Sequence, residues 1–307
     1  MSETPRLLAI EEPVDPAPGL SYPLALRHQG AGAFQAAFGI LAGFSAFILL
    51  VPLGNQLVLR LGHLIRGGDW EAYLASAGAY ELPEGPVAGQ LGLALLIPIC
   101  ILLVRFVHGV RPRWLASVQP GLRWRYLLIA LFVAGVVLNG VLWLSFAAKG
   151  VPQFNGGQEG WLTFGLLMLV SSPLQAAAEE VFFRGYLLQA VGSATGNRWV
   201  GVIGSAVVFA LLHGLQNPAL FAHRLAFGLV AGALVVLTGG LEAGIAAHIV
   251  NNLAAYGYAM FTTSVAELKA VTAITWGDAA WDIAGFAAFA AAAWWVARRM
   301  GLAVATP

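Results

Sequence analysis

Two adjacent carboxylates, a guanidinium, two imidazoles and an amide fall inside one strongly apolar stretch of this chain. They are Glu179 and Glu180 with Arg184, His213 four residues after Phe209, and His248 four residues before Asn252. Ionisable groups at membrane depth are costly and suggest a function by default. This inventory is what general acid/base chemistry needs and what a passive anchor does not.

Spacing sorts the groups into roles. Glu180 and Arg184 are i, i+4 with the acid first, the favourable order for a helical pair. Glu179 advances by 1/3.6 of a turn, about 100°, and faces elsewhere. A carboxylate in an apolar setting with no fixed counter-ion has its pKa raised toward the range where a general base works best. Glu179 is therefore the expected base, with Glu180 and Arg184 in support. His248 and Asn252 share one helical stripe and offer two donors for a developing oxyanion. Phe209 and His213 also share a stripe, which sets a ring beside the imidazole. Each motif alone has a plainer reading: a helix-end histidine before Gly214 for His213, and interhelical hydrogen bonding for His248 and Asn252. Their joint occurrence favours a site.

The elements that must hold these groups are membrane helices. The chain has 307 residues, is 59% hydrophobic and only 10% charged, against roughly 25% charged in soluble proteins. Its mean hydropathy is +0.77. The fold class expected is all-α, a polytopic membrane bundle of about eight transmembrane helices over 33–61, 87–107, 125–147, 161–191, 199–213, 219–238, 241–261 and 279–297. The site would lie between spans four, five and seven. Pro173 after Ser171 and Ser172 predicts a kink in span four. From the short connection 192–198, Glu179 lies about 20 Å along span four and His213 about 22 Å along span five. His248 and Asn252 lie about 9 and 15 Å along span seven. Three helices packed together would bring the four groups into one cavity.

Four regions follow: a disordered cytoplasmic tail at 1–32, N-terminal spans at 33–155, a catalytic core at 156–262, and a last span with a short tail at 263–307. The loop with Arg105, Arg111, Arg113, Arg123 and Arg125 reads as cytoplasmic, and an even number of spans then puts both termini inside. Gly228 and Gly232 predict close helix packing. Trp161, Trp199, Trp276, Trp294 and Trp295 sit near span ends as interfacial anchors. Cys100 stands alone, so no internal disulfide forms. A net charge of +1 gives no global sign of a nucleic-acid partner.

Glu-Glu-x-x-x-Arg, Phe-x-x-x-His and His-x-x-x-Asn, in that order at 179–184, 209–213 and 248–252, resemble the three signature motifs of the CAAX protease and bacteriocin-processing family of intramembrane endopeptidases. The motif-bearing part covers about residues 160–260. The resemblance implies a fold of eight helices, water activation by Glu179 with His213, and an oxyanion held by His248 and Asn252. The expected activity is hydrolysis of a peptide bond in a membrane-associated protein or peptide, in a bacterial plasma membrane. The expected partners are that substrate and the lipid bilayer. The alternative is a non-proteolytic protein of the same fold, such as a bacteriocin-immunity factor or scaffold. A proton-coupled transporter ranks last because no inverted repeat is visible. No cofactor is expected. Without His-Glu-x-x-His, a zinc ion would have to take Glu179, His213 and His248 with one position open.

Overall fold

The computed structural model describes residues 12–28, 32–214 and 216–307. Helix α1 spans Ala33–Arg66, and α2 covers Trp70–Gly78. Helices α3 (Glu84–Ala94) and α4 (Leu96–Leu102) run on through a π-helical turn to Val107. Helix α5 is Trp124–Lys149. Helix α6 (Trp161–Glu179) continues through a π-helical stretch at Glu180–Leu187 into α7 (Leu188–Thr195). Then come α8 (Arg198–Leu211), α9 (Pro218–Thr238), α10 (Glu242–Thr262), the short α11 (Val265–Ala270) and α12 (Trp276–Arg299).

Among the described residues, six helical stretches are long and apolar enough to cross a membrane. The other two expected spans fall short for identifiable reasons. Helix α8 has only 14 residues, and α10 has its polar residues on an inward face. Outward faces carry exposed Leu41, Ile48, Leu53 and Leu57 on α1 and Leu128, Phe132 and Val136 on α5. Such faces suit lipid and not water. This is an integral membrane protein with an all-helical bundle.

Glycines set the closest helix contacts. A methyl at Gly228 would lie 2.9 Å from Ala206 and one at Gly232 2.8 Å from Val202, so α9 rests directly on α8 at the expected pair. Pro173 does not break its helix. The helix runs on unbroken from it to Glu179. The irregularity comes seven residues later, in the π-helical stretch.

Residues 12–28 correct the expectation of a disordered tail, whose remaining parts, 1–11 and 29–31, lie outside the described residues. Val14 pairs with Val110 and Ser21 with Ala305, and Tyr22 and Leu26 are buried. Acidic and proline residues dominate the segment's composition, yet Leu20, Tyr22, Leu24 and Leu26 supply apolar anchors. Asp15 accepts from Trp114 Nε1 at 2.7 Å and Arg113 at 2.9 Å and also pairs with Arg111. The Trp114 hydrogen bond, with help from the two guanidiniums and against some burial, holds its carboxyl below the usual range. Both chain ends and the Arg-rich loop thus meet at one end of the bundle. Glu242, at the start of α10, is fully buried and bound to Arg123 at 2.6 Å.

His108, just past the second spanning stretch, is buried, and its Nε2 is 3.2 Å from the Tyr186 hydroxyl. Burial, with His28 beside it, pushes its pKa from 6.5 down to about 4. The unfolded chain then binds a proton that the folded one refuses between those values, so stability falls with pH across that window. Lowering pH from 6.5 to 4 should remove about 3 kcal/mol through this group. Thermal unfolding in detergent at several pH values should show the loss, and His108→Gln should make it smaller. Asp15 titrates below the window and does not obscure it.

Candidate functional site

The site is built from the π-helical stretch outward. Backbone bonds of the i→i+5 type put more residues in each turn than the 3.6 of an α-helix, and such bulges cluster at functional sites. At its start two adjacent carboxylates, expected on different faces, both approach the same imidazole. His248 Nδ1 lies 2.9 Å from Glu180 Oε1, and His248 Nε2 lies 3.6 Å from Glu179 Oε2. Glu180 Oε1 also accepts from Arg184 Nη1 at 3.0 Å. One buried carboxylate oxygen therefore anchors a guanidinium and an imidazole together.

Arg184 is fully buried, and its guanidinium lies 4.1 Å from the centre of the Phe209 ring and 5.3 Å from that of Phe227. The phenyl of the second motif is thus a cation–π partner for the arginine of the first, as well as a neighbour of His213 at 4.5 Å between ring centres. Glycine makes room for this packing. A methyl at Gly244 would come 2.8 Å from Glu180 Oε2.

Glu179 differs from its neighbour. It is 8% exposed, and among the described residues its carboxylate receives no hydrogen bond. Its one close partner is His248. The expected pairing of Glu179 with His213 is not drawn as a direct contact. His213 sits just beyond the end of α8, where its Nδ1 bonds the Phe209 carbonyl at 2.7 Å. That bond makes Nδ1 the donor and leaves the Nε2 lone pair available in the neutral ring. His213, His248 and Asn252 line one cavity of about 260 Å³. Asn252 Nδ2 spends one proton on Gln175 Oε1 at 2.9 Å, and its second proton is unspent.

Among the described residues, no group of three or more His, Cys, Asp or Glu side chains is placed to hold a metal ion. Of the triad Glu179, His213 and His248 considered from the sequence, Glu179 Oε2 and His248 Nε2 lie 3.6 Å apart, and His213 lines the same cavity as His248.

Sequence reasoning missed several participants. Gln175 lies one turn before Glu179 and fixes the Asn252 amide. Gly244 lies four residues before His248 and admits the Glu180 carboxylate. Arg224 and Asn251 also line the cavity. Arg224 sits inside α9, and an arginine within the apolar run 219–238 was the available signal.

Residues 161–254 match the family described as type II CAAX prenyl endopeptidase Rce1-like. A curated relative, the uncharacterized protein YyaK of Bacillus subtilis (strain 168), is 28% identical over 197 residues, covering 61% of this chain and 65% of the relative. The match therefore spans just under two thirds of that relative. No solved structure matches. The matched stretch begins at α6 and ends two residues past Asn252, so it holds all three motifs and every contact just described except the cavity's far wall. Over residues 161–254 the chain is thus similar to the family described as type II CAAX prenyl endopeptidase Rce1-like.

Proposed function

We propose that the protein is an intramembrane endopeptidase that hydrolyses a peptide bond of a membrane-associated protein or peptide. The observation that carries the proposal is the division of labour between the two carboxylates. Glu180 is consumed by Arg184 and His248, whereas Glu179 keeps an unbonded carboxylate facing His248 at 3.6 Å. That gap is too long for a hydrogen bond and leaves Glu179 open to a water.

In this reading Glu179 takes a proton from water. His213, from the end of α8, offers its Nε2 lone pair as a second acceptor. The hydroxide attacks the carbonyl carbon, and negative charge moves to the carbonyl oxygen. Donors aimed at that oxygen contribute most where water is excluded. The second proton of Asn252 Nδ2 serves there, and His248 donates from Nε2 in the form of its ring that carries a proton on both nitrogens. Glu180 fixes the His248 ring through Nδ1, and Gln175 fixes the Asn252 amide. The proton held by Glu179 then passes to the leaving amine as the C–N bond breaks. The family description names prenylated CAAX proteins. Only peptide-bond hydrolysis is carried over here, and a bacterial plasma membrane is the proposed location.

The test is purified protein in nanodiscs, incubated with membrane peptides and read by mass spectrometry. A defined set of cuts that requires the protein supports the reading. An absence of cuts across the whole peptide set favours a binding or immunity role for the same fold. If Glu179 activates water without a metal, cleavage should survive a chelator and exhaustive metal removal within about twofold, while a metal enzyme of the three-ligand type would lose its activated water. Loss restored by added zinc would assign the chemistry to a metal.

A further inference from the structure

One cation on the cavity wall has no task in the mechanism above. Arg224, in the second turn of α9, lines the same cavity as His213, His248 and Asn252. Its Nε is buried and has no hydrogen-bond partner. Glu179 acts on it through space, yet no carboxylate among the described residues comes within ion-pair distance. The candidates are engaged elsewhere. Glu180 holds Arg184 and His248, Glu179 faces His248, and Asp282 faces His223 at 3.6 Å. Arg184 shows what an ion-paired guanidinium looks like in this protein, bound to Glu180 and set against Phe209. Arg224 has no such pair and no such ring.

Arg224 is half-buried, and a guanidinium partly withdrawn from water is stabilised when an anion meets it. Its planar fork of donors fits a carboxylate in two parallel hydrogen bonds. We propose that Arg224 receives a carboxylate of the bound peptide and so selects the substrate. The proposal rests on the peptidase reading and deepens it. The cavity, about 260 Å³, falls just below the range of drug-sized ligand sites, roughly 300–1,000 Å³. Only a short piece of chain fits between Arg224 and the two imidazoles. The carboxylate therefore belongs to one of the few residues nearest the scissile bond, either as the chain's C-terminus or as an acidic side chain.

Binding separates these sources and does not depend on turnover. Four probes are titrated onto the intact protein in nanodiscs, with recovery checked by mass spectrometry: N-acetyl-Val-Leu-Leu as free acid and as amide, and the amides of N-acetyl-Val-Glu-Leu and N-acetyl-Val-Gln-Leu. In the wild type, one acid should bind about tenfold or more tighter than its neutral twin, and which pair responds names the source. Arg224→Gln should erase that ratio without weakening the neutral probe, and Arg224→Lys should restore part of it. Acid selectivity in a protein that cuts nothing would keep the anchor and remove the peptidase reading. Equal binding of both pairs to the wild type would overturn the proposal, with no variant needed. So would a ratio that survives Arg224→Gln.

Discussion

Glu179→Gln should reduce the cleavage rate by about 10²–10⁴-fold, the range that a positioned general base contributes, and should leave the fold intact. Both halves follow from the geometry. The amide has nearly the same volume as the carboxylate and cannot take a proton from water. Among the described residues the Glu179 carboxylate accepts no hydrogen bond, and its approach to His248 is 3.6 Å, so little bonding is lost. The matching change one residue on should behave differently. Glu180→Gln weakens two charge-assisted bonds, to Arg184 and to His248. It should lower thermal stability together with activity. Single-turnover rates and unfolding temperatures of the two variants, measured side by side, check the assignment. Undiminished cleavage by Glu179→Gln would remove Glu179 from the proton transfer, and a stability loss as large as that of Glu180→Gln would make it a structural residue.

The order of elements was legible in the sequence because membrane insertion writes itself as long apolar runs. Every expected span falls on a helix, and Gly228 and Gly232 mark a real contact between α8 and α9. Less legible was whatever depends on how a helix deviates from ideal. Glu179 and Glu180, about 100° apart on an α-helix, both approach His248, one at each ring nitrogen, at the point where the helix turns π-type. Nothing in the local composition announces that turn, while Pro173, which does announce a defect, leaves its helix unbroken. Partnership across chain distance was equally hidden. Gln175 meets Asn252 and Glu242 meets Arg123 only once α6, α5 and α10 are packed together. The segment 12–28 misled through composition, since a few apolar anchors outweigh many polar neighbours once a docking surface exists.

The second large effect concerns stability and separates it from catalysis. Arg184→Ala should destabilise the protein by about 3–5 kcal/mol, the usual result of removing one member of a buried ion pair. Glu180, fully buried, would then rely on His248 alone, and Phe209 would lose the guanidinium above its ring. Glu180→Ala should be the worse change, because it strands both Arg184 and His248. The pair is nonetheless incompletely satisfied. Glu180 Oε2, Arg184 Nε and Arg184 Nη2 are buried without hydrogen-bond partners among the described residues. Replacing a buried pair by apolar residues of similar size is often neutral or stabilising. Glu180→Leu combined with Arg184→Met should therefore recover most of the stability that either alanine variant loses. Its activity should stay low, since His248 no longer has the Nδ1 anchor that directs Nε2 toward Glu179. Thermal unfolding in detergent and cleavage rates on the same preparations decide the matter. A double variant as unstable as Glu180→Ala would show that the pair holds the bundle together. One that is stable and fully active would show that His248 needs no help from Glu180.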